Sequence, residues 1–386
     1  VNLPFPDLAV SWSAARPQAA VLHLDHAACS RTTTAVLDAV TAHLRIETEI
    51  GAYQAEAAAE PALTAGRAAI GQLLGVGADD IAFTESAQAA LDRVLSCWPG
   101  LVPGAPVAVT RSEYGPSVAW LVDHGARVLD LPALPDGTVD LNALAAWLAH
   151  ERPVLAVLTH LASQRGLVQP LAEIAAACRE AGTDVIADCA QSLGHLRCDD
   201  LQADAYVATS RKWLAGPRGV GIVAVAPAAA QRLAFVAPSL GPRWQPTDES
   251  PVRRLGSYEA HIAGRVGLAV AAAEHLAAGP ERIRARLAGL GDATATALGG
   301  TAGWTVAAGQ GGTAIVSLTP PAGVDPAAVR RELIDRHAVI TTYAGIERAP
   351  RDDTPPLLRV SPHVDTTEDD LAQVAAALDA ATKAVR

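Results

Sequence analysis

A chain of 386 residues, half of them hydrophobic and 18% charged, can bury a large core and hold a large domain plus a smaller one. Its net charge of −11 argues against nucleic-acid or anionic-membrane partners, because no basic stripe is available to neutralise phosphates. Cys29, Cys97, Cys178, Cys189 and Cys198 are odd in number and lack CxxC spacing, which speaks against a disulfide frame or a zinc site.

The first twenty residues carry Pro4, Pro6 and Pro17 and read as irregular. With no basic-then-apolar leader and no apolar run of spanning length, a soluble cytoplasmic protein is expected. Val21–Ala28 reads as a short strand entering a turn. His23, Asp25 and His26 there could suggest metal ligands, but no second cluster completes a set, so no metal is expected. A helix is predicted from Thr32 to about Ile50, with Ser30 as candidate cap, and a second over 61–74 after the break at Gly51-Ala52-Tyr53. Gly75-Val76-Gly77 follows a helix, so it reads as a C-cap and not as a dinucleotide fingerprint.

Strand 81–83, turn 84–86 and helix 87–97 form a strand-to-helix turn of small residues. Free backbone N–H groups at such a helix N-terminus make a phosphate cradle, although a plain capped helix would look the same. Strand 106–110 runs into Arg111-Ser112-Glu113-Tyr114. Helix 116–124, strand 126–130, helix 140–149, strand 153–159 and helix 170–181 then repeat the β/α rhythm of a parallel sheet.

The most informative stretch is 183–221. Strands Val185–Ala187 and Ala205–Ala208 end on Asp188 and on Ser210-Arg211-Lys212. Ligands of open α/β sheets lie beyond the carboxyl ends of the strands, so Asp188 and Lys212 are expected to face one crevice. An amine and a carboxylate there match the needs of pyridoxal phosphate (PLP), whose aldehyde a lysine carries and whose pyridine nitrogen an acid keeps protonated. Taken singly, either would read as an ordinary strand-end polar group. Further on, 220–226 is a strand, 238–251 a Pro/Gly-rich loop and 259–278 a helix. Residues 280–386 form an α/β unit with helices 281–298, 326–337 and 367–384. Strands are expected near 314–318 and 339–342, and Arg359 on a strand before the last helix.

D-x-A-Q at Asp188–Gln191, S-R-K-W-L at Ser210–Leu214 and the turn Gly216-Pro217-Arg218-Gly219 arrive in an order that resembles the PLP site of the class V aminotransferase and cysteine desulfurase superfamily. The resemblance implies fold type I: an α/β large PLP-binding domain at 21–258 with a mostly parallel sheet, preceded by an N-terminal segment 1–20. It further implies a linking helix 259–279 and a small C-terminal domain 280–386. It places the PLP phosphate on Ser86-Ala87-Gln88, with Ser210 assisting where the family's Thr is missing. Tyr114 is placed against the ring face, and Ser163 and Gln191 beside the phenolic oxygen, Ser163 standing where the family has Asn. Asp188, followed by Ala190, and Lys212 would be the catalytic pair. Ser257 would reach the partner's phosphate in a homodimer, and Arg359 would grip the substrate carboxylate, with His26 near the mouth of the site.

Cysteine desulfurases carry a sulfur-accepting thiol on a C-terminal loop, and this chain has no cysteine after Cys198. Segments such as HLDHAACSR, SEYGPS, THLASQRGLVQP, SRKWLAGPRGVG and LRVSPHVD instead resemble the ergothioneine-pathway C–S lyases of actinobacteria. The implied reaction cleaves hercynylcysteine S-oxide. Lys212 removes the Cα proton, the C–S bond breaks, and the thiohistidine betaine leaves as a sulfenate while the remainder becomes pyruvate and ammonia. Tyr53, Tyr343 and Glu347 are candidates for the trimethylammonium group. An epimerase, an aminotransferase, a cysteine-type lyase or a non-catalytic binding subunit remain the alternatives.

Overall fold

The computed structural model describes residues 3–234, 250–257, 259–307 and 311–386, so most of the loop expected at 238–251, and Tyr258, lie outside the described residues. The first half of the chain runs α1 (Pro6–Ala14), β1 (Leu22–His23), α2 (Thr34–Ile50), α3 (Ala52–Leu74), β2 (Ile81–Thr84), α4 (Ala87–Ser96), β3 (Pro106–Val109), α5 (Gly115–Asp123), β4 (Arg127–Asp130) and α6 (Leu141–Glu151). Then come β5 (Leu155–Thr159), α7 (Leu171–Ala181), β6 (Asp184–Asp188), β7 (Ala205–Thr209), β8 (Gly221–Val225) and the single turn α8 (Pro227–Ala230). The C-terminal part holds α9 (Ile262–Ala278), α10 (Pro280–Leu298), β9 (Thr305–Val306), β10 (Val316–Thr319), α11 (Pro326–His337), β11 (Val339–Ile340), β12 (Thr342–Ala344), β13 (Leu357–Val360) and α12 (Glu368–Val385).

Seven strands form the main sheet in the order β2-β8-β7-β6-β5-β3-β4. The β7-β6-β5-β3-β4 pairs are parallel, and β8 runs antiparallel to both of its neighbours. Strands β5 to β8 are buried at every position except Asp184, the first residue of β6, as expected of strands covered on both faces. One apolar cluster, with Ile70, Leu74, Leu158 and Leu268, packs on one face. A second, with Leu91, Val94, Leu121 and Val207, packs on the other. The C-terminal sheet β12-β13-β10-β9 is antiparallel and backs onto its own core around Trp304, Leu333 and Leu378.

Three local expectations change. The N-terminal segment is not wholly irregular: Pro6 opens α1, where its missing N–H costs nothing, and Leu8 and Trp12 are buried. The cap of α2 is Thr33, whose hydroxyl accepts from Val36 N at 3.1 Å, whereas Ser30 Oγ is paired with the His26 ring at 3.1 Å. Helix α3 begins at Ala52 and carries Pro61 inside it; an interior proline costs about 3 kcal/mol, which burial of the Leu63–Leu74 face against α9 offsets. Strand β1 pairs in parallel with β11, and Asp25 bridges to Ser361. The N-terminal strand is thus stitched to the C-terminal part.

Candidate active site

Three strands of the main sheet deliver their last residues to one cleft. Thr159 ends β5, Asp188 ends β6 and Thr209 ends β7, and all three line the cleft with Lys212. Parallel register places Thr159 beside Asp188, so strand order alone brings these chain-distant groups together. The cleft measures about 120 Å³. A larger cavity of about 380 Å³ lies elsewhere, between residues 13–31 and the C-terminal helix, and holds neither Asp188 nor Lys212.

Asp188 is buried, and its Oδ1 accepts from Ala190 N at 2.8 Å. Burial raises its pKa while the neighbouring Lys212 lowers it. Lys212 is pushed down to about 7, chiefly by burial and further by Arg211, Arg359 and Arg348, with Asp188 opposing. An amine held near neutrality is available as a base, which an ordinary lysine is not.

Ser86 caps α4, its Oγ accepting from Ala89 N at 3.0 Å. The amides of Ala87 and Gln88 precede the helix's first intrahelical bonds, and all three residues line the cleft. Gly221 of β8 presses on this turn: a Cβ there would lie 2.2 Å from the Ser86 carbonyl. Only glycine admits the strand so close to the cradle. Ser117 Oγ, also in the cleft wall, is buried without a partner, as expected of a group that waits for a ligand.

Gln191 lines the cleft and is held at both ends, donating to Ala27 O and accepting from Trp213 Nε1, each at 2.9 Å. Tyr114, Ala190 and Ser163 also line it. Arg359 is fully buried on β13 and donates to the Ser163 carbonyl at 2.7 Å and to Asp25 at 3.1 Å, leaving Nε without a partner. Its field reaches Lys212.

The structure gathers Ser86, Ala87, Gln88, Tyr114, Ser163, Asp188, Ala190, Gln191 and Lys212 in the cleft wall. The other sequence candidates sit outside that wall. Ser210 is fully buried against Gly216, its Oγ unpaired. Ser257 Oγ accepts from Arg93 at 2.9 Å. His26 borders the larger cavity, its ring bonded to Ser30 and to the His23 carbonyl. Tyr53 is 70% exposed on α3. Tyr343 is half-buried on β12, opposite Leu358. Glu347 is exposed, and its backbone packs against Gly115 at the start of α5, which brings the loop after β12 up to Tyr114.

Sequence reasoning passed over Arg211, Thr159 and Thr209 as cleft residues, although the position of each at or just after a strand end could have shown them. It could not show that His160, Cys189 and Cys198 bring their donor atoms within 4.8 Å of one another, all buried. The hydrogen bond with Cys198, together with burial, pushes the Cys189 thiol well up, in keeping with a structural thiol behind the cleft.

The donors present fit PLP. Amides at a helix N-terminus suit its phosphate, an acid its pyridine nitrogen and a pKa-lowered amine its aldehyde.

Residues 22–374 match the family model described as Aminotransferase class-V. Over 385 residues the chain is 48% identical to a protein of Mycobacterium tuberculosis (strain CDC 1551 / Oshkosh) named "Probable hercynylcysteine sulfoxide lyase", covering 99% of this chain and 96% of that one. An apo cysteine desulfurase from Thermococcus onnurineus NA1 superposes with a TM-score of 0.83 at 19% identity, covering 100% of this chain and 99% of the other. The cystine C–S lyase C-DES, in complex with its product cysteine persulfide, superposes with a TM-score of 0.81 at 22% identity, covering 94% and 98%. This chain belongs to the aminotransferase class-V family and is a pyridoxal-phosphate-dependent enzyme of fold type I.

Proposed function

We propose that the chain is a PLP-dependent carbon–sulfur lyase that, with water, cleaves hercynylcysteine S-oxide to the ergothioneine sulfenate, pyruvate and ammonia, the sulfenate going on to ergothioneine by two-electron reduction with an external thiol. The observation that carries this reading is the 48% identity, across 99% of the chain, to a protein bearing that name. Bound in the cleft, PLP supplies an electron sink for the substrate's Cα. Lys212, with its pKa near 7, takes the Cα proton. Asp188, buried within the field of Lys212, would keep the pyridine nitrogen protonated. Arg359, its two terminal nitrogens held by the Ser163 carbonyl and Asp25, offers its unpaired Nε to the α-carboxylate. Ser86, Ala87 and Gln88 hold the phosphate. Because no cysteine follows Cys198, the chain has no C-terminal thiol to accept sulfur as a persulfide. The working unit is a homodimer in the cytoplasm, with Ser257 close to the neighbouring site.

The test compares pyruvate release from hercynylcysteine S-oxide with release from cysteine. Preference for the sulfoxide is expected. Equal or faster turnover of cysteine would refute the substrate assignment, and racemisation or amino transfer without pyruvate would refute the lyase.

A further inference from the structure

Glu113 is a fully buried acid beside the cleft, between β3 and α5, for which the chemistry above has no use. Its Oε2 accepts from Thr159 N at 2.7 Å, and its Oε1 lies 2.7 Å from Thr159 Oγ1 and accepts from Tyr114 N at 3.1 Å. Glu113 does not itself line the cleft, but Thr159 and Tyr114 both do. One carboxyl therefore ties the end of β5 to the loop after β3.

Burial, and then the charge of Asp188, push Glu113 up to about 8. Among charged groups, Asp188 at the end of β6 acts most strongly on Glu113. Lys212, from beyond β7, acts on Asp188 instead. Two buried carboxylates side by side do not both stay ionised, and Asp188 has the cation. A neutral acid must donate its proton, and the Thr159 and Tyr114 amides are themselves donors. Thr159 Oγ1 is the partner able to accept it. The threonine's own proton then turns away from Glu113, on a side chain that lines the cleft and stands at the position paired with Asp188.

We propose that Glu113 is a positioning residue, a neutral acid whose proton orients the Thr159 hydroxyl as a donor into the cleft while its oxygens hold the Thr159 and Tyr114 backbones in place. When Glu113 ionises, the Thr159 hydroxyl turns back to it and the cleft loses that donor. The inference rests on the cleft being the PLP site. It differs from the reading of Asp188 and Lys212 in placing a protonation-dependent device one residue behind the cofactor.

The experiment uses the full-length protein freed of cofactor, as wild type, Glu113→Gln, Glu113→Ala, Thr159→Ser and Thr159→Val. PLP affinity is titrated, and the visible absorbance of the bound cofactor is followed from about pH 6.5 to about 9.5, a window that brackets the acid. Glutamine mimics the neutral acid, since its NH₂ can donate to Thr159 Oγ1 and its carbonyl can accept. Glu113→Gln is expected to keep PLP affinity within about threefold and to flatten the absorbance change near pH 8. Glu113→Ala and Thr159→Val should each weaken PLP binding about tenfold or more, with Thr159→Ser restoring it. Equal loss in Glu113→Gln and Glu113→Ala would overturn the neutral acid, and full affinity in Glu113→Ala would overturn the positioning role. A wild-type protein that binds no PLP would overturn the cofactor reading along with it.

Discussion

Replacing Lys212 with Met in the cofactor-free protein keeps the length of the side chain and removes its charge. The structure holds the amine at about 7 against an ordinary 10.5, and burial is the first cause. At about 1.4 kcal/mol per pKa unit, the folded state bears at most about 5 kcal/mol for keeping this ammonium charged. Lys212 retains a partly open edge onto the cleft, so solvent screening reduces the penalty to about 2 kcal/mol. Asp188, deprived of its cation, takes back part of the gain. The folded pKa lies below the unfolded one, so below about pH 7 both states are charged and the folded protein bears the whole penalty. As pH rises through the interval up to about 10.5, the unfolded chain binds more protons and the wild type recovers stability. The variant should therefore be more stable by about 1–2 kcal/mol near pH 6.5, with the advantage fading towards pH 10. Urea unfolding of both apo proteins at several pH values measures this difference. An advantage that stays constant or grows with pH would refute the buried, charge-destabilised lysine.

Arg359→Lys removes a buried fork that grips Asp25 and the Ser163 carbonyl; it should cost about 3 kcal/mol in thermal or urea unfolding and raise KM more than it lowers kcat. Gly221→Ala would force a Cβ to 2.2 Å from the Ser86 carbonyl, so PLP affinity should fall at least tenfold. A fluorescence titration that finds unchanged affinity would remove the α4 turn from the phosphate site. Cys178, Cys189 and Cys198 are buried while Cys29 and Cys97 are partly exposed. A thiol reagent should therefore label at most two groups in the native protein and all five after unfolding, as counted by mass spectrometry.

Much of the molecule was legible from local pattern. Apolar runs such as Leu155–Thr159 and Ala205–Thr209 announced buried parallel strands, and Ser86 announced the start of α4. The helix over 52–60 was hidden because Gly51 and Pro61 both read as breaks, whereas only Gly51 is one. Packing against α9 overrides a proline's local preference, and no local pattern reports that packing. Tyr53 and Tyr343 offer aromatic faces, but side-chain type says nothing about which surface a residue faces.

The order of strand-end residues in the chain, together with the likeness of its motifs, determined the family, the cofactor and the pairing of Asp188 with Lys212. The tertiary structure alone decided what surrounds that pair. The pKa of Lys212 depends on burial and on Arg211, Arg348 and Arg359, and that of Glu113 on a carboxylate from another strand. Local propensity comes from a residue and its few neighbours in sequence, but desolvation and charge act through space. Those distances exist only once the sheet has brought distant segments of the chain together.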